Sequence, residues 1–145
     1  MNRDQVSRVV TSLVLSVALL CAQSTRYRQL RLVIDRNTGL AHATRGVNMY
    51  TLYALRSCVT ERDIPVLRDI LRDRDRIIRL AVSSVLADLG TEGKTVIQAR
   101  LSEVTDAREK LMLQESLDTV ARSGYRPILQ YPLTDAERAR IRGCN

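Results

Sequence analysis

Between Asp63 and Leu89 the apolar residues recur at helical spacing. Ile64, Leu67, Ile70 and Leu71 share one face, and Ile78, Ala81, Val82, Val85, Leu86 and Leu89 share another at steps of three and four. Asp73, Arg74 and Asp75 form a polar turn between the two runs, so the pattern predicts a helical hairpin. Its ends carry the matching chemistry. Asp63 can accept a bond from a free N–H of the first turn, and Pro65 sits where a missing N–H costs little. Gly90 suits the end of the second helix, and the small side chain of Ala81 allows two helices to approach closely.

A shift of 31 residues brings Leu55, Leu86 and Leu117 into register, together with Ile70 and Leu101, Asp75 and Asp106, and Arg79 and Lys110. Val59, Thr60 and Glu61 fall against Gly90, Thr91 and Glu92. The repeat predicts a second hairpin over Glu92–Ala121, and the second helix alone of an earlier one over Asn48–Cys58, carried by Met49, Leu52, Ala54 and Leu55. In the later copy Glu109, Met112 and Ser116 stand where Ile78, Ala81 and Val85 stand in the first. Those exchanges predict an edge repeat with one face turned to solvent and with Met112 and Leu113 at its apolar end. The fold class expected is therefore all-α, a stack of about two and a half hairpins over 48–122.

Stacked repeats bury their faces only against neighbours, so the flanks must cap the stack. Over 25–47 the alternation of Leu30, Leu32 and Ile34, followed by Asp35–Gly39 and Leu40, predicts a small β-hairpin around a polar turn. Over 123–145 Pro127 and Pro132 bound an irregular stretch, and Thr134 is placed to cap a final helix over Asp135–Ile141.

Residues 1–24 have a different composition. Arg3 and Arg8 outweigh Asp4, and Val9–Ala22 is uncharged and apolar apart from Thr11, Ser12 and Ser16. The run is shorter than the roughly 20 residues of a spanning helix but suits the core of an export signal. Ala22 and Ser24 place small side chains three and one positions before Thr25, as a cleavage site requires. A signal peptide is expected, with an uncleaved membrane anchor or a buried helix of a cytosolic protein as the alternatives. Leu20 before Cys21 is a poor setting for lipidation. Export would leave Cys58 and Cys144, an even number that permits one disulfide between the tail and the first helix of the stack; two free thiols are the other reading.

The segment "DIPVLRDILRDRDRIIRLAVSSVLADLG" resembles a HEAT repeat, in particular the short bacterial HEAT-like repeats of the phycobilisome-lyase type. The resemblance rests on Pro65, the turn residues Asp73 and Asp75, Arg79, Ala81, Leu86 and Gly90. It covers about half the chain and is clearest in this copy. It implies that Asp75 and Arg79 are scaffold residues joining repeats, and that the second helix of each hairpin lines a concave face. From the repeat register, Tyr53, Arg56, Arg76, Ser83, Ser84, Gln114 and Glu115 are the outward positions there, hence the candidate partner-binding residues; Tyr and Arg are favoured anchors at protein interfaces.

The net charge is +7, and all but Lys94 and Lys110 of the 23 basic residues are arginine. Such charge permits contact with anionic surfaces without defining a fold. Asp69, Asp73 and Asp75 alternate with Arg68, Arg72, Arg74 and Arg76, which reads as a solvated face. Gly93, Lys94 and Thr95 imitate the end of a phosphate loop, but Asp88 occupies the position of its first glycine and a helix precedes it. His42 is the only histidine, and the cysteines have no CxxC spacing, which argues against zinc. Asp73, Asp75 and Asp106 lie beside arginines and read as ionised salt partners rather than catalytic acids. No catalytic, metal or cofactor site and no small-molecule substrate is expected. The expected role is an exported, periplasmic or secreted protein-binding or scaffold module; a basic cytosolic protein binding nucleic acid is the alternative, and an accessory subunit of a larger assembly is a third. Membrane contact is expected only if residues 1–24 are retained.

Overall fold

A computed structural model describes residues 3–42, 49–123, 134–141 and 143–144. Among the described residues seven α-helices follow in order: α1 (Arg3–His42), α2 (Met49–Arg56), α3 (Ile64–Ile70), α4 (Arg76–Asp88), α5 (Gly90–Glu103), α6 (Ala107–Ser123) and α7 (Asp135–Arg140), with a 3-10 turn at Glu61–Asp63. No strand occurs among the described residues, so the chain is all-α there.

The expected β-hairpin within 25–47 is replaced by the second half of α1. Leu30, Val33, Ile34 and Asn37 are buried, at the steps of three and four of a helix, whereas Leu32 is 49% exposed. Asn37 would oppose the helix if left unsatisfied. Its Nδ2 donates to the Val33 carbonyl one turn back at 2.7 Å, which lets a buried amide sit inside the helix instead of ending it.

This segment packs mainly on α2 and also touches α3 and α4. It therefore supplies the partner helix that the repeat pattern left missing for α2. Helices α1, α3 and α5 neighbour one another in that order, α2, α4 and α6 form a parallel series of contacts, and α4 lies at the centre. One core runs through all of them. Leu55, Leu67, Leu86, Ile97 and Leu113, one from each of α2 to α6, are wholly buried with Leu30 and Ile34 of α1. Each such side chain contributes about 1.5–3 kcal/mol on burial.

The cap expected from Asp63 to the first turn of α3 is not made, because Arg26 and the Thr60 N–H take its carboxylate, whereas α4 is capped at both ends as its residues dictate. Asp75 accepts from the Ile77 N–H at 2.8 Å and starts α4. Gly90 ends it with φ +81°, the left-handed conformation that follows many helices. Gly93, in the first turn of α5, serves a different purpose: a Cβ there would lie 1.9 Å from the Leu86 carbonyl oxygen, so α5 crosses the end of α4 too closely for any side chain.

The second copy is not the solvent-facing edge expected from Glu109, Met112 and Ser116. Met112, Leu113 and Ser116 are buried, and the Glu109 side chain is only 10% exposed. The cause is that these positions face α4. Met112 fills space there, the Ser116 hydroxyl pairs with Ser83 Oγ at 2.9 Å, and Glu109 holds two arginines. Leu111, 61% exposed, is a large apolar residue of α6 that meets solvent.

Two further features complete the frame. Cys58 and Cys144 form a disulfide with a Cα–Cα distance of 5.5 Å across 86 positions, which ties the tail to the loop after α2. At the other extreme, every residue from Val10 to Thr25 is exposed. Leu13, Leu15, Leu19 and Leu20 are each more than 60% exposed. Among the described residues no helix is long and apolar enough to cross a membrane. The expected irregular stretch around Pro127 and Pro132, and Asn48, lie outside the described residues; the final helix begins after Thr134 as its capping pattern predicted.

Candidate partner-binding surface

The seven residues projected outward from the repeat register separate into two groups. Arg76, Gln114 and Glu115 are exposed, and Tyr53 and Ser84 are half-buried. Ser83 is fully buried, a correction to its expected outward position: its hydroxyl donates to the Leu80 carbonyl at 3.0 Å and faces Ser116 between α4 and α6. The reason is that Ser83 finds a polar partner on α6, so its hydroxyl is satisfied in the interface. Ser84 Oγ, on the margin, bonds the same Leu80 carbonyl at 2.9 Å.

Arg56 also points into the structure more than expected. It forms an ion pair with Asp88, the two side chains being 19% and 16% exposed, and so links the end of α2 to the end of α4. On α6, Gln114 Nε2 donates to Asp118 at 3.1 Å along the helix and stays on the surface. Of the seven, Arg76, Gln114 and Glu115 are thus exposed on the second helices, with Tyr53 and Ser84 half-buried.

The acids that might suggest catalysis are committed to holding turns. Asp73 accepts from the Asp75 N–H at 2.7 Å and pairs with Arg31 of α1. Asp106 accepts from the Glu109 N–H at 2.7 Å and starts α6. Arg79 donates to the carbonyls of Asp73 and Arg74, both at 2.8 Å, which closes the turn between α3 and α4. Glu109 then draws neighbouring hairpins together. It accepts from Arg100 Nε and Nη2 at 3.0 and 2.8 Å and lies 3.6 Å from Arg79. Farther out, Arg72 meets Glu103, its counterpart one repeat later, at 3.0 Å. The hydrogen bond from Arg72, with its charge, keeps the Glu103 carboxyl below the usual carboxylate range.

One cluster was invisible in the sequence pattern. Arg26, where α1 begins to be covered, donates from Nε and Nη2 to the two oxygens of Asp63 at 2.7 and 3.0 Å, and from Nη2 to the Cys58 carbonyl at 2.7 Å. The Thr60 N–H adds a bond to the same carboxylate at 2.9 Å. Burial pushes the Asp63 carboxyl up, but these hydrogen bonds and the charge of Arg26 outweigh it and hold the group below its ordinary value. The same contact raises the Arg26 guanidinium. Asp63 could be read from sequence as a cap; its partner, 37 positions earlier, could not.

Among the described residues, no group of three or more His, Cys, Asp or Glu side chains could hold a metal ion. Comparison of the chain with protein-family models, with curated proteins and with solved structures gives no match.

Proposed function

We propose that this chain is a non-enzymatic, exported helical-repeat module of HEAT type that binds a protein partner or scaffolds an assembly. The observation that carries the reading is the use of its polar chemistry: Asp75 and Asp106 start helices, Asp63 and Asp73 fasten α1 to the chain beyond it, and Glu109 joins α4, α5 and α6, while Arg76, Gln114 and Glu115 stay exposed on the second helices. Such a surface suits extended contact with a folded partner, where Tyr and Arg dominate the energy. The exposed apolar segment of α1, preceded by Arg3 and Arg8, supports export.

The test combines surface variants with localisation. Arg76→Glu with Glu115→Arg should abolish cross-linking to an envelope protein while leaving the helical CD spectrum and melting temperature unchanged. Undiminished cross-linking would remove this face as the binding surface. A second reading, nucleic-acid binding by a cytosolic chain, draws on Arg62, Arg74, Arg76 and Arg108, which are exposed and make no ion pair among the described residues. That reading requires a cytosolic chain whose affinity for duplex DNA falls steeply with salt.

A further inference from the structure

We propose that the peptide bond between Ser24 and Thr25 is a processing site, cut by a membrane-bound endopeptidase that selects small side chains three and one residues before the cut. The proposal rests on the export reading above and gives it a defined product. Two independent boundaries fall together here. Side-chain size marks the bond through Ala22 and Ser24, with the larger Gln23 between them. Packing marks it as well: Val10 to Thr25 are exposed, Arg26 is half-buried in its contact with Asp63 and Cys58, and Leu30 is fully buried one turn later. The stack begins where the apolar segment ends.

The segment before the bond has the properties of a removable one. Within it the Ser16 hydroxyl bonds back along the helix to the Ser12 carbonyl at 2.9 Å, and just past the bond Thr25 does the same to the Cys21 carbonyl at 3.1 Å. A helix covered by no other element unwinds at low cost, and an endopeptidase binds its substrate extended. Past the bond, Arg26 is held by Asp63 and a backbone carbonyl, so a cut on its far side would remove a contact of the fold. Retaining the segment would leave an exposed apolar surface too short to span a bilayer.

Cysteine usage points the same way. Cys21 is free and exposed, whereas Cys58 and Cys144 are paired. Cutting after Ser24 removes the one thiol that would compete for the disulfide in an oxidising compartment. The chemistry needs only water. Water adds to the Ser24 carbonyl, the C–N bond to Thr25 breaks, Ser24 leaves as a carboxylate, and the Thr25 nitrogen takes up a proton to become the new α-ammonium group.

The experiment is intact mass of the full chain and of Ser24→Leu, expressed in a bacterium and separated into cytosolic and envelope fractions, with and without reduction and alkylation. The expected result is an envelope chain beginning at Thr25, with two thiols alkylated only after reduction, and Ser24→Leu left uncut at this bond. An uncut, disulfide-bonded chain in the envelope would overturn the processing site while leaving export standing. An uncut cytosolic chain with three alkylated thiols would overturn both. A wild-type chain beginning at any other residue, or Ser24→Leu cut as readily as the wild type, would refute the assignment of this bond.

Discussion

Replacing Asp63 with Ala removes three charge-assisted hydrogen bonds at once, two from Arg26 and one from the Thr60 N–H. Bonds to a charged group each contribute about 1.5–3 kcal/mol to stability. The Asp63 side chain is 9% exposed and that of Arg26 29%, so the freed guanidinium can recover part of its hydration and the lower end of that range applies. Arg26 also keeps its bond to the Cys58 carbonyl. At about 1.5 kcal/mol for each of the three bonds the expected loss is about 4.5 kcal/mol at neutral pH, of which about 3 kcal/mol, from the two Arg26 bonds, should appear as coupling in a cycle with Arg26→Ala. Chemical denaturation followed by far-UV CD measures both quantities. A pH series sharpens the test. Because the folded-state carboxyl of Asp63 lies below its unfolded value, its stabilisation is complete above the unfolded value of about 3.9 and disappears as pH falls from there through the folded value. The gap between wild type and Asp63→Ala should accordingly stay level from pH 8 to pH 5 and narrow only below about pH 4. A coupling energy under about 0.5 kcal/mol, or a gap that does not change in acid, would refute the view that this pair fastens α1 to the stack.

Three other perturbations address the rest of the frame. Reducing the Cys58–Cys144 bond, or Cys144→Ser, opens a loop of 86 positions and should lower stability by up to about 4–5 kcal/mol on the chain-entropy account, read as a fall in melting temperature on adding reductant. Glu109→Gln keeps the shape but leaves Arg79 and Arg100 facing a neutral group; with those side chains 16% and 23% exposed, about 2 kcal/mol should be lost in urea unfolding. Gly93→Ala should cost more than Gly90→Ala, because the first drives a Cβ into the Leu86 carbonyl while the second meets open space and bears only the strain of its φ, about 1 kcal/mol; equal melting temperatures would contradict the close crossing of α4 and α5.

How far the fold could be read in advance depended on where each residue's partner lies. The central hairpin was legible because its information is local: apolar steps of three and four, Asp75 at one end of α4 and Gly90 at the other. Residues 30–37 offered two local patterns at once. Leu30, Leu32 and Ile34 fit a strand, and Leu30, Val33, Ile34 and Asn37 fit a helix; in the helix Asn37 is satisfied by a bond to the Val33 carbonyl, which a polar residue in a turn-rich sequence does not announce. The exchange of Ile78 for Glu109 looked like exposure because a buried carboxylate is costly unless paired, and its partners Arg79 and Arg100 come from α4 and α5. Among the candidate binding residues, Arg76, Gln114 and Glu115 stayed outward as their helical phase predicted. Ser83 and Arg56 turned inward because each finds a polar partner on the adjacent helix, which phase alone does not specify.

The contacts between hairpins recur at nearly constant chain intervals, 31 positions from Arg72 to Glu103 and 33 from Ser83 to Ser116. A change of length between such partners therefore acts on several of them at once. Deleting one residue inside α4 would turn everything beyond it by about 100°, carrying Ser83 away from Ser116 and Asp88 away from Arg56 together. A single-residue insertion or deletion inside these helices is thus disruptive where one in a surface loop is ordinarily accepted.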